Sequence, residues 1–95
     1  MVVGTGKIIY RLHDCRSLKG KRSIVKSIIH KIQNNFNASV AETGSNDLQQ
    51  KAEIGFAMVG NDVGLINSKI DLLFNLADKI GLAELIDSEM EIISL

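Results

Sequence analysis

Ninety-five residues, 45% of them apolar and 23% charged, can close one hydrophobic core but not two, so residues 1–95 are expected to form a single folded domain. Eleven Lys and Arg balance eleven Asp and Glu, which argues against the uniformly basic surface of a non-specific nucleic-acid binder. A lone cysteine, Cys15, excludes an internal disulfide and points to a reducing cytoplasm.

Met1-Val2-Val3-Gly4 has neither the basic flank nor the long apolar core of an export signal, and no apolar run reaches the ~20 residues that span a bilayer. From Lys7 to His13 the residues alternate, Ile8, Tyr10 and Leu12 facing inward, which predicts a half-buried strand. The period then changes. Ser17 is a good N-cap, Leu18, Val25, Ile28, Ile29, Ile32 and Phe36 fall on one stripe, and Asn34, Asn35 and Asn37 supply a stop, so a helix is predicted from Ser17 to Asn35. Ala38 to Thr43 reads as a second strand ended by the turn residues Gly44-Ser45-Asn46-Asp47. Ala52 to Val59 reads as a third, with Ile54, Phe56 and Met58 inward.

Gly60-Asn61-Asp62 caps a second helix on which Val63, Ile66, Ile70, Leu73, Phe74, Ala77 and Ile80 recur at helical spacing, and Gly81 suits its left-handed C-terminal position. Leu85 to Ser94 closes the chain as a strand with Ile86, Met90 and Ile92 inward and Asp87, Glu89 and Glu91 outward. The order β-α-β-β-α-β predicts an α+β ferredoxin-like split βαβ sandwich: an antiparallel sheet in spatial order 4-1-3-2 with two helices on one face.

Zero net charge conceals a polarity. Residues 1–31 hold eight basic residues against Asp14 alone, and residues 32–95 hold three basic against ten acidic. Lys7 and Arg11 are expected to neutralise part of the acidic fourth strand across the sheet. On the first helix Lys19, Arg22, Lys26 and His30 form a solvent stripe, and Lys21 lies at its apolar edge with its ammonium expected to snorkel outward. Arg16, Lys19, Lys21 and Arg22 crowd the helix N-terminus, where the macrodipole disfavours cations. A bound phosphate or carboxylate would reverse that penalty; a solvated face relieved by Glu42 or Asp47 is the competing reading. The topology brings residues 13–17 to the same sheet edge as residues 43–50.

Other chemistry is weakly signalled. Cys15 beside Arg16 resembles an activated thiol, with His13 as its nearest base, although lone cysteines are more often inert. No metal site or cofactor is expected, since His13 and His30 are far apart and no ligand set completes either. Gly4-Thr5-Gly6 precedes a strand, the wrong setting for a phosphate loop. Tyr10, Phe36, Phe56 and Phe74 all take inward positions, which removes the stacking platform of sheet-type RNA binders. The open sheet, with Ile9, Ala41, Gly55 and Ala57, instead suits a second subunit.

Ser17-Leu18-Lys19-Gly20-Lys21-Arg22-Ser23, then Phe36-Asn37-Ala38-Ser39-Val40-Ala41-Glu42, Asp47-Leu48-Gln49-Gln50-Lys51-Ala52 and Asn61-Asp62 resemble the YlxP-like family of small bacterial proteins of unassigned function. The resemblance runs from about Val2 to Ile93. It implies a ferredoxin-like fold, a cytoplasmic location and, because members are commonly encoded near transcription, translation and ribosome-maturation factors, a role at RNA or the ribosome. Ser17, Lys19, Lys21, Arg22, Asp47, Gln50 and Lys51 match the family pattern. Gly20 stands where members usually have Glu, and Gln49 where many have Trp.

The leading expectation is a non-enzymatic accessory protein binding structured RNA or ribosomal particles through Arg16, Ser17, Lys19, Lys21, Arg22, Lys26, Asp47, Gln50 and Lys51. The second is a protein-interaction module, a homodimer through its open sheet that docks an acidic partner on the first helix. The third is a small hydrolase of acylphosphatase type using Arg16 and Asn46.

Overall fold

Two stretches of period 3.6 and four of period two become, in a computed structural model describing residues 1–95, β1 (Val2–Arg11), α1 (Leu18–Asn35), β2 (Ser39–Gly44), β3 (Lys51–Gly60), α2 (Val63–Lys79) and β4 (Glu84–Ser94). All neighbouring strands are antiparallel, in the order β2-β3-β1-β4, which is the predicted order read from the other edge. α1 packs over β2 and β3, and α2 over β1, β3 and β4. This is the ferredoxin-like arrangement.

The core forms where the predicted stripes meet. Ile8, Tyr10 and Leu12 from β1 and its exit, Ile54 from β3, Ile28 and Ile32 from α1, and Ile66, Ile70 and Leu73 from α2 are all but fully enclosed. Each such side chain contributes about 1.5–3 kcal/mol on burial. The Tyr10 hydroxyl donates to Ala77 O at 2.8 Å, so the one polar atom brought in by that ring is satisfied. Burial and then the nearby Asp78 charge push the Tyr10 pKa far up.

β1 begins at Val2, five residues before the alternation becomes visible, because Gly4 and Gly6 occupy its core face. A Cβ on Gly4 would lie 2.6 Å from Ile66 Cγ2, and one on Gly6 would lie 2.4 Å from the Phe56 ring. Both glycines are close-approach positions that let α2 and the Phe56 ring settle onto the strand.

Three predicted core positions are corrected, among them Met90, which stands opposite Gly6 but on the edge strand β4 remains 39% exposed. Val63 is 48% exposed; as the first residue of α2 it precedes the turn that reaches over the sheet, and Ile66 is the first to pack, against Gly4 and Gly60. Ile86 is 41% exposed. Tyr10 pairs with Leu85 while Ile9 pairs with Asp87, so Ile86 is the extra residue of a β-bulge and half-buried Leu85 takes the core side.

Placing a branched side chain at position 6 tests the close approach. Gly6→Val is expected to lower stability by about 1–3 kcal/mol through overpacking against Phe56, read as a fall in the urea midpoint with an unchanged denaturant slope.

Candidate functional site

No carboxylate occurs among the 18 residues of α1. Its Lys19, Arg22, Lys26 and Lys31, with Arg16 just before it, are exposed, and neither of the two ion pairs in the molecule involves them. Lys19, Arg22, Lys26 and His30 recur at spacings of three and four on one face, Lys19 and Lys26 being about 10 Å apart along the axis. Ser17 caps the helix, its Oγ accepting the Gly20 N–H at 3.0 Å. The cap therefore forms without a carboxylate at position 20.

Lys21 does not snorkel. Its side chain is 1% exposed, and its Nζ donates to Ser45 O in the β2–β3 turn and lies 3.0 Å from Glu42 Oε2. Residue 21 falls on the side of α1 that faces β2, where no path to water remains. The contact with Glu42 is Coulombic rather than directional, since Oε2 is enclosed and makes no hydrogen bond of good geometry. Lys21 is thus a structural cation and presents no charge at the surface.

The expected meeting of residues 13–17 with residues 43–50 is present. Leu12 N donates to Gln50 O at 2.9 Å, and Gln50 Nε2 donates to Cys15 O at 3.4 Å. The nine site residues nevertheless do not form one patch. Arg16, Ser17, Lys19, Arg22 and Lys26 belong to the helix layer, whereas Lys51 is an odd-numbered residue of β3 and faces away from the buried Ala52, Ile54, Phe56 and Met58. Gln50 lies between them.

On the sheet side, Arg11, Asp47, Leu48, Gln49, Gln50, Lys51 and Ile86, with an edge of Tyr10, line a hollow of about 620 Å³. Tyr10, Arg11, Leu48, Gln49 and Ile86 are absent from the site expected from the sequence. Arg11 sits opposite Glu84 of β4, but it is His13 Nε2 that lies 2.5 Å from Glu84 Oε2. The hydrogen bond from His13 first, with the charges of His13 and Arg11, holds Glu84 below the ordinary carboxylate range. The signal that could have found Arg11 is its register against Lys51, legible only once β1 and β3 are aligned.

The remaining candidates do not assemble. Cys15 is buried, its thiol directed at Ser17 O at 3.5 Å, while His13 is engaged by Glu84. Arg16 and Asn46 are exposed in separate loops with no ion pair. No group of three His, Cys, Asp or Glu residues is placed to hold a metal, and no helix is long and apolar enough to cross a membrane. On the uncovered sheet face a second hollow, of about 680 Å³, is floored by small residues including Thr5, Ala41, Gly55 and Ala57.

Residues 3–90 match a family described as a protein of unknown function, DUF503. The chain belongs to this family. The uncharacterized protein YlxP of Bacillus subtilis (strain 168) is 40% identical over 50 residues, a match covering 53% of this chain and 54% of that protein, so the chain spans about half the length of this relative. The resemblance carried by the motifs is thereby shown. Among solved structures, the de novo designed protein Foldit4 superposes with a TM-score of 0.55 at 11% identity, over 100% of this chain and 99% of that one, and shares the fold. A REP-associated tyrosine transposase bound to a REP hairpin aligns at a TM-score of 0.45 and 10% identity, over 98% of this chain and 56% of that one, too distant to bear on the function of a DUF503 protein.

Two outcomes test the geometry. Lys21→Ala leaves the Glu42 carboxylate enclosed without its cation and is expected to lower stability by about 3 kcal/mol, most of it recovered in a Lys21→Met, Glu42→Gln double variant, as read by urea unfolding. Glu84 has a folded-state pKa below its ordinary 4.5, so its contribution is complete above that pH and is lost as pH falls through the depressed folded value. The stability gap between the native chain and His13→Ala should accordingly close on acidification below that pH.

Proposed function

We propose that this protein is a non-enzymatic cytoplasmic accessory protein that binds structured RNA, as in ribosomal particles, by phosphate contacts from Arg16, Lys19, Arg22 and Lys26. One observation carries the reading: α1 presents a row of exposed cations with no ion-pair partner on a helix without a carboxylate. Like charges at such spacings destabilise a helix by about 0.2–0.5 kcal/mol per pair, and cations at its N-terminus by about 0.3–1 kcal/mol each. A polyanion offsets both penalties and releases its counterions on binding. The aromatics, Tyr10 and Phe56 buried and Phe36 and Phe74 half-buried against the core, favour contact through the helix over base stacking on the sheet, and a straight row of charges matches the regular backbone of a duplex.

A second reading, self-association through the open sheet, is favoured by Val59, Val3 and Ile93, which stand side by side in register on the uncovered face. Sedimentation velocity over a range of concentrations separates the two readings; a strict monomer overturns the second.

For the first, affinity for ribosomal particles is expected to fall with salt at a log–log slope of about −2 to −4, as three or four phosphate contacts require. The Lys19→Glu, Arg22→Glu, Lys26→Glu variant, which leaves buried Lys21 in place, is expected to lose co-sedimentation while keeping its circular dichroism spectrum. Unchanged co-sedimentation overturns the proposal.

A further inference from the structure

We infer that the hollow between the β2–β3 turn and the start of β4 is a binding site for a single unpaired nucleotide, its phosphate held by Arg11 and Lys51 and its base lodged against Leu48 and Ile86. The inference deepens the RNA reading above and rests on it for the source of the nucleotide, but the site can be tested by itself.

Two cations face each other, and neither is ion-paired. Arg11 and Lys51 are direct partners in the β1–β3 register, a like-charge juxtaposition that antiparallel sheets avoid because the Cβ atoms stand only about 5 Å apart. The register sets Glu84 on the other side of Arg11, where it makes its close contact with His13 at 2.5 Å and feels the Arg11 charge only at longer range. Neither cation has a carboxylate within ion-pair distance. A phosphate bridging the guanidinium fork and the ammonium relieves the repulsion and gains charge-assisted hydrogen bonds.

The rest of the lining fits a base and not a bare anion. Leu48 is 52% and Ile86 41% exposed, and Ile86 reaches the hollow only because the bulge at Ile9/Tyr10 turns it away from the core. Re-aiming a side chain is what bulges beside binding sites commonly do. Between the apolar walls and the cations lie the carboxamides of Gln49 and Gln50 and the carboxylate of Asp47. Gln50 spends its Nε2 on Cys15 O, which leaves its Oε1 as an acceptor, while Gln49 offers both a donor and an acceptor. Such groups can meet the Watson–Crick edge of a splayed base. At about 620 Å³ the hollow is of the size that takes a small ligand and is too small for a duplex.

The experiment is an amide NMR titration of the full chain with each nucleoside 5′-monophosphate and, separately, with inorganic phosphate. Saturable shifts are expected at residues 48–51 and 85–87, tighter with a nucleotide than with phosphate. Ile86→Ser, a change at an exposed position, is expected to weaken nucleotide binding about tenfold or more without altering phosphate binding. Lys51→Gln should weaken both. The absence of saturable shifts at these residues, or equal affinity for nucleotide and phosphate, overturns the inference. A short single-stranded RNA then identifies the source. Binding tighter than the mononucleotide, by a margin lost in the Lys19, Arg22 and Lys26 reversal, supports a nucleotide within RNA. Binding no tighter than the mononucleotide supports the site and overturns the RNA reading.

Discussion

A buried ammonium holds the first turn of α1 against the β2–β3 turn, and both surfaces of interest depend on where it holds them. Removing a charge from water costs several kcal/mol after relaxation, and for Lys21 that penalty is offset only where Ser45 O and Glu42 converge on it. The pairing therefore selects one placement of residues 44–50 relative to the helix start. Gln50 follows, bonded through its backbone to Leu12 and through its side chain to Cys15. On one side of this junction the cations of α1 are left in solvent. On the other, Lys51 enters β3 opposite Arg11.

Charge in this molecule is segregated by element. The eight basic residues of the first third of the chain divide among the α1 face, the buried position of Lys21 and the open sheet, where Lys7 and Arg11 stand on β1. Carboxylates concentrate on β4, at the sheet edge remote from β2. A neutral sum distributed in this way produces a directional field, positive at α1 and negative at β4.

The fold was largely legible because its signals are local. Alternation at Ile8, Tyr10 and Leu12, the α1 stripe through Val25, Ile28 and Ile32, and the caps Ser17 and Asp62 each lie within a few residues of one another. Features that depend on long-range pairing were not. A single extra residue at Ile86 reverses inward and outward for the start of β4, and alternation carries no mark of it. Lys21 reads as a snorkelling side chain until β2 brings Glu42 beside it, and Glu42 is twenty-one residues away in sequence. The candidate residues Lys19, Arg22 and Lys26 were visible as a stripe. The hollow was not, because its walls come from β1, the β2–β3 turn and β4 and meet only in the assembled sheet.

β4 is an edge strand of 11 residues, and a long unpaired edge is a template for polymerisation with other sheets. Its bulge breaks the ladder repeat that an incoming strand would need to match, and Asp87, Glu89 and Glu91 would set like charge against like in an antiparallel pairing with a second β4. The same displaced Ile86 that shapes the hollow thus helps keep the molecule from growing along its sheet. Restoring regular alternation here, by deleting one residue of the bulge, would both flatten the site and open the edge to fibril-like association.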